Sequence, residues 1–140
     1  IGAIPIGQGL DYNRINIILY NLLGVPYKWG GKTSLGFDCS GLVQSVLNVY
    51  DIKIPRDSND QWKFLEPYKI NIDKAEKGDL HFFGRKGEVS HVGFACGSYD
   101  FIHSQGYVKK ESLDQNNPNF NKSLLDIYLS SVSIRLKFKL

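Results

Sequence analysis

The hydrophobic period of this sequence changes once, and the change separates two kinds of structure along the chain. In the first half apolar residues recur at helical spacing: Tyr12, Ile15, Ile18, Leu19, Leu22 and Leu23, then Cys39, Leu42, Val43, Val46, Leu47 and Tyr50. From residue 79 the period falls to two, in DLHFF at 79–83, EVSHVGFAC at 88–96, YDFIH at 99–103, GYVKK at 106–110 and VSIRLKFKL at 132–140. Helices first and strands afterwards, joined by short connections, predict an α+β domain. Its N-terminal helices pack on a C-terminal antiparallel sheet of about five or six strands.

Capping and turn residues mark the borders. Asp11 can open and Gly24 close a first helix over 11–23, and Pro26 prevents its return. GVPYKWGGKTSLGF, with four glycines and a proline, reads as a well-specified loop, and a short helix is expected over 57–65 after Pro55. Leu124, Leu125, Ile127 and Tyr128 suggest a helical turn or two. The last strand is expected to place Val132, Ile134, Leu136 and Phe138 on one face and Ser133, Arg135, Lys137 and Lys139 on the other. The opening IGAIPIGQGL lacks any period and reads as a linker or strap, which leaves 11–140 as the folded domain.

Length and charge exclude several classes. A chain of 140 residues, 42% hydrophobic and 22% charged, supports one core and is not a disordered tail. Seventeen Lys and Arg against fourteen Asp and Glu leave +3, and the basic pair Lys109-Lys110 is followed at once by Glu111, so no nucleic-acid face is expected. No apolar run is long enough to span a membrane. Two cysteines, Cys39 and Cys96, exclude a disulfide-rich scaffold and supply no CxxC half-site for zinc or redox chemistry.

The chemistry centres on Cys39, in the first turn of the second helix behind the natural N-cap Asp38. Oriented N–H groups there favour the thiolate, which is the nucleophilic form. The competing reading is a small hydrophobe filling the apolar stripe. Alternation puts His91 on one strand face with Val89, Gly93 and Ala95, away from Val92, Phe94 and Cys96. A hairpin turning over Cys96, Gly97 and Ser98 would set His91 directly opposite His103. Cys39, His91 and His103 then supply a nucleophile, a base and an orienting group. Each histidine alone also reads as a structural residue. The same three side chains could ligate zinc, but no fourth ligand has suitable spacing, and no metal or cofactor is expected.

GVPYKWGG, FDCSGLV, IPRDSNDQ, KGDLHFF, SHVGFACG and FIHSQG, in that order, resemble the NlpC family of bacterial cell-wall cysteine peptidases over about residues 11–110. The resemblance implies a reduced papain-like fold with Cys39 as nucleophile, His91 as base and His103 as its orienting partner. By the same resemblance Tyr27 lies near the nucleophile and aids the oxyanion site, while Asp38 and Ser40 contact the amino end of a short stem peptide. The implied substrate is peptidoglycan, cut between γ-D-glutamate and a diamino acid such as diaminopimelate, in the periplasm, cell wall or medium. Alternatives are an antibacterial amidase toxin with an immunity partner and a catalytically silent wall-binding module. An attached wall-binding domain or an immunity protein would lie outside this chain. His81 and Cys96 depart from the family pattern: Cys96 is expected in the core, and His81 as a strand histidine with a substrate-facing role open.

Overall fold

Asp11 opens the first helical segment as expected, its carboxylate accepting from the Asn13 N–H at 2.9 Å. A 3-10 turn over Tyr12–Arg14 leads into α1 (Ile15–Asn21), and Gly24, at φ 90°, takes the left-handed conformation that follows the helix end. These elements belong to a computed structural model that describes residues 11–33, 35–97 and 99–140. The linker expected at 1–10 lies outside the described residues. The glycine-rich stretch is a loop carrying a minimal antiparallel pair, β1 (Lys32–Thr33) and β2 (Gly36–Phe37). It delivers the chain to α2 (Cys39–Val49), where Leu42, Val43, Val46 and Leu47 are fully buried. Each such side chain contributes about 1.5–3 kcal/mol on leaving water. That stripe fixes the rotation of α2, and with it the direction of Cys39 in the first turn.

Gly41 holds the loop against that turn. A Cβ there would lie 2.0 Å from the Gly31 carbonyl oxygen, so only glycine lets the two backbones cross. The short helix after Pro55 is α3 (Ser58–Leu65), as expected.

The sheet has six strands, all neighbours antiparallel: β3 (Lys69–Ile70), β4 (Leu80–Arg85), β5 (Glu88–Ala95), β6 (Asp100–Gln105), β7 (Tyr107–Ser112) and β8 (Tyr128–Val132), in spatial order β3-β8-β4-β5-β6-β7. One face carries Leu80, Phe82, Val92, Phe94 and Ile102 against the helical stripes of α1 and α2. The other face carries a smaller cluster of Phe83, Phe101, Leu113 and Leu124, the last from α4 (Lys122–Asp126). Helices packed on one antiparallel sheet are the α+β arrangement that the change of period predicts.

Several expectations need correction. The last strand is not 132–140: β8 ends at Val132, and Ile134–Phe138 forms a helix, α5, capped by Ser133, whose Oγ accepts from the Leu136 N–H at 3.1 Å. Alternation misleads here because Ile134 and Phe138 are four apart, a spacing that strands and helices share. The helix buries Ile134 and packs Phe138 on the core, and it leaves Leu136 exposed. Tyr128, read as part of a helical turn, opens β8 instead; Ser130 and Ser131 disguise that strand. Second, Val89 belongs to the helix-side core. Phe83 pairs with His91 but Gly84 with Val89, so β5 carries an extra residue, Ser90, and the alternation slips by one. Third, the β5–β6 turn is longer than expected. Ala95 pairs with Phe101, so the register leaves His103 opposite Gly93 and diagonal to His91.

Candidate active site

The helix α2 packs on β5 and β6. Their ladder covers Phe94 with Ile102 and Ala95 with Phe101; the Val92 N–H, just beyond it, favours the Cys39 thiolate. The N–H groups of Cys39 and Ser40 act in the same direction, and Cys39, in the first turn of α2, belongs to the helix packed on the strand that carries His91. Burial pushes the thiol up from its ordinary value, and those three N–H groups and the charge of Asp38 only modify the result. The thiolate favoured by helix position is thus outweighed by desolvation, and the resting group is a thiol.

His91 Nε2 lies 2.8 Å from His103 Nδ1, although the two residues are diagonal in the ladder. The contact depends on Gly93, where a Cβ would stand 2.9 Å from the His103 Cβ. It also leaves Nδ1 as the His91 nitrogen not engaged by His103. Phe83 packs against the His91 ring, and Phe101 lies at 4.6 Å, centroid to centroid, from the His103 ring. Burial, with the charges of His103 and Lys109, pulls His91 down to about 3. Burial pulls fully buried His103 down to about 4, against the opposing effect of the hydrogen bond that its Nε2 makes to Glu111. Both imidazoles are therefore neutral at pH 7.

A stability effect follows from those values. Between the ordinary histidine value of 6.5 and the folded values of about 3 and 4, the unfolded chain binds protons that the folded chain rejects. Stability is accordingly full above pH 6.5 and falls on acidification through this window, by on the order of 1 kcal/mol per pH unit for each histidine. Denaturation midpoints from pH 7 to 4.5 should fall less steeply in a His91→Asn, His103→Asn double variant. Equal slopes would refute the buried neutral pair.

Tyr27, about a third exposed at 37%, has its backbone N–H on the Gly106 carbonyl at 2.9 Å. Burial and, less strongly, the charges of Cys39 and Asp38 raise its phenol. Asp38 and Ser40 are both buried and meet a residue not singled out by sequence, Arg56. Its guanidinium grips Asp38 through two nitrogens, at 3.0 and 2.8 Å, and donates to Ser40 Oγ at 2.9 Å. Asp38 also accepts from Gly41 N–H at 2.7 Å and Gly30 N–H at 3.1 Å. Burial alone would raise its carboxyl; these donors outweigh burial and hold it below its ordinary value. Arg56 stands in the IPRDSNDQ block, but nothing in its spacing ties it to Asp38.

Two further polar residues complete the surroundings. Glu111 Oε1 lies 2.7 Å from His103 Nε2 and accepts from Asn121 Nδ2 at 2.9 Å. His103 pairs directly with Lys109, so Glu111 is its diagonal neighbour on β7, a relation visible only once the register is known. His81 is fully buried, with Nδ1 2.7 Å from Ser131 Oγ; it is a strand histidine on the sheet's second face, and its burial gives it no surface for substrate. Cys96 packs against the main core as expected, and burial pushes it up to about 12. Among the described residues, no three His, Cys, Asp or Glu are grouped to hold a metal ion, and no helix is long and apolar enough to cross a membrane.

The two thiols should differ in reactivity. Cys39 has three N–H groups stabilising the anion, whereas Cys96 donates to the Phe94 carbonyl at 3.9 Å and titrates near 12. Limiting iodoacetamide at pH 8 should label Cys39 well before Cys96. Peptide mapping that finds Cys96 modified first would contradict this order.

The model of the NlpC/P60 family matches residues 24–128. The chain belongs to the NlpC/P60 family. A γ-D-glutamyl-L-lysine dipeptidyl-peptidase of Bacillus subtilis (strain 168) is 41% identical over 107 residues, covering 73% of this chain and 35% of the relative. A crystal structure of an NlpC/P60 family protein from Bacillus cereus ATCC 10987 superposes with a TM-score of 0.75 at 29% identity, covering 93% of this chain and 41% of that one. RipD of Mycobacterium tuberculosis, 23% identical, shares the fold with a TM-score of 0.67 over 89% of this chain and 98% of its own; it is a non-catalytic NlpC/p60 domain protein. This NlpC/P60 chain spans about a third of the length of the B. subtilis relative.

Proposed function

We propose that this NlpC/P60 domain is a peptidoglycan hydrolase, a cysteine endopeptidase that cuts an amide bond of the stem peptide. The observation that carries the reading is a neutral His91 whose Nε2 is held by His103 at 2.8 Å, on the strand β5 against which α2, with Cys39 in its first turn, packs. His91 takes the thiol proton as the sulfur attacks the amide carbonyl, a transfer for which its imidazole has to start neutral. The tetrahedral oxyanion is met by the Cys39 N–H and the Tyr27 hydroxyl. The imidazolium then protonates the leaving amine, and His91 next activates water against the thioester.

The bond proposed is that between the γ-carboxyl of D-glutamate and a diamino acid, which the B. subtilis relative's own specificity supports. Asp38, Ser40 and Arg56 form one hydrogen-bonded polar cluster at the N-terminus of α2, of which Arg56 is more exposed than Asp38, and this cluster is the proposed contact for the amino end of a short stem peptide. Arg56 keeps the Asp38 carboxylate ionised for an ammonium group. The site of action is then the wall, in the periplasm or outside the cell. Digestion of purified muropeptides, with mass-spectrometric identification of products, tests the reading. Fragments ending in γ-D-glutamate, absent with Cys39→Ala, are expected. Binding without cleavage would instead place the chain with silent members such as RipD.

A further inference from the structure

The polar chain behind the two histidines does not stop at His103. Asn121 Oδ1 accepts from the Leu124 N–H at 2.9 Å at the start of α4, and Asn121 Nδ2 donates to Glu111 Oε1 at 2.9 Å. The same oxygen lies 2.7 Å from His103 Nε2, and His103 Nδ1 lies 2.8 Å from His91 Nε2. Lys109 Nζ is 3.9 Å from that carboxylate oxygen. Burial raises the Glu111 carboxyl, but the donors from Asn121 and His103 outweigh it and keep the group ionised.

An ionised carboxylate only accepts hydrogen bonds. Facing one, neutral His103 must carry its proton on Nε2, which leaves Nδ1 as an acceptor. His91 must then carry its own proton on Nε2 to donate to that acceptor, and its Nδ1 is left with a free lone pair. The opposite arrangement, with His103 donating from Nδ1, would force the His91 proton onto the nitrogen that has to receive one from the thiol. We infer that Glu111 is a positioning residue of this site: it locks His103 as the Nε2–H tautomer and through it sets His91 as the proton acceptor for Cys39. The inference rests on the roles proposed above for Cys39 and His91. A glutamine at position 111 removes the lock, because its amide offers both a donor and an acceptor to His103 Nε2.

Two measurements test it. Nitrogen-15 NMR of histidine-labelled Cys39→Ala protein reads the tautomers without any turnover. His91 and His103 should both be Nε2–H with Glu111 present, and both should become mixtures in Glu111→Gln. His103 protonated at Nδ1 with Glu111 present, or tautomers unchanged by Glu111→Gln, would overturn the inference. With Cys39 intact, Glu111→Gln should lower kcat about 10- to 100-fold, the range typical of residues that orient a reacting group, with KM within about twofold. In a His103→Ala background the same replacement should change kcat less than about twofold, because nothing remains to be oriented. An equal loss in both backgrounds, or a rise in KM with kcat unchanged, would make Glu111 a general structural residue. Glu111→Asp, which keeps an obligate acceptor, should recover part of the loss; no recovery would count against the lock. A chain that cuts no muropeptide at all would defeat the functional reading and leave the NMR result to judge Glu111.

Discussion

Cys39→Ala and His91→Ala should each abolish muropeptide turnover, with kcat falling about 10,000-fold or more, while the folded chain survives. The size of the loss follows from the roles. A nucleophile and its base act as one unit, so removing either forfeits the covalent route and leaves only binding and oxyanion contacts. The fold should hold because Cys39 is only partly buried at the end of α2, and the stripe from Leu42 to Leu47 that seats the helix is untouched. His103→Asn should retain measurable activity, about 10- to 100-fold down, since an asparagine oxygen can still accept from His91 Nε2. Circular dichroism and urea midpoints matching the unsubstituted chain are needed beside the kinetics. Activity surviving in Cys39→Ala but lost in Cys96→Ala would show that the wrong thiol had been assigned. Turnover intact in both variants would sink the covalent mechanism.

The contrast between what was legible in the sequence and what was not follows the range of the interactions. The α2 helix, its cap and the position of Cys39 were readable because an N-cap and a stripe at period 3.6 are local features. The pairing of His91 with His103 was anticipated in kind but not in register, because a turn two residues longer than expected shifts the ladder by two. The diagonal contact survives that shift since two imidazoles can bridge across Gly93. The C-terminal error has a different origin: Ile134 and Phe138 satisfy both periods, and only the docking of α5 beneath Tyr68, whose carbonyl accepts from Ser133 N–H at 2.9 Å, decides between them. Arg56 and Glu111 were hidden because their partners, 18 and 8 residues away, are set by loop path and strand register rather than by any sequence period.

Asp38→Ala should be the most destabilising change around the site, costing about 3 kcal/mol and lowering activity with it. The carboxylate accepts from Gly41 N–H in the first turn of α2, from Gly30 N–H in the glycine-rich loop and from both terminal nitrogens of Arg56. One side chain thus joins three segments at the helix end that carries Cys39. Its removal costs a helix cap, about 1 kcal/mol, and strands a partly buried guanidinium that keeps, among the described residues, Ser40 Oγ as acceptor. Arg56→Leu should cost less, about 1 kcal/mol, because the carboxylate keeps two backbone donors and remains solvated at its edge. The order of the two losses therefore separates an anchor from an ordinary ion pair. Urea midpoints at unchanged m-value provide the measurement. If Asp38→Ala lost no more than Arg56→Leu, the carboxylate would be serving Arg56 alone. The loop and helix would then owe their closeness to Gly41, whose missing Cβ already permits it.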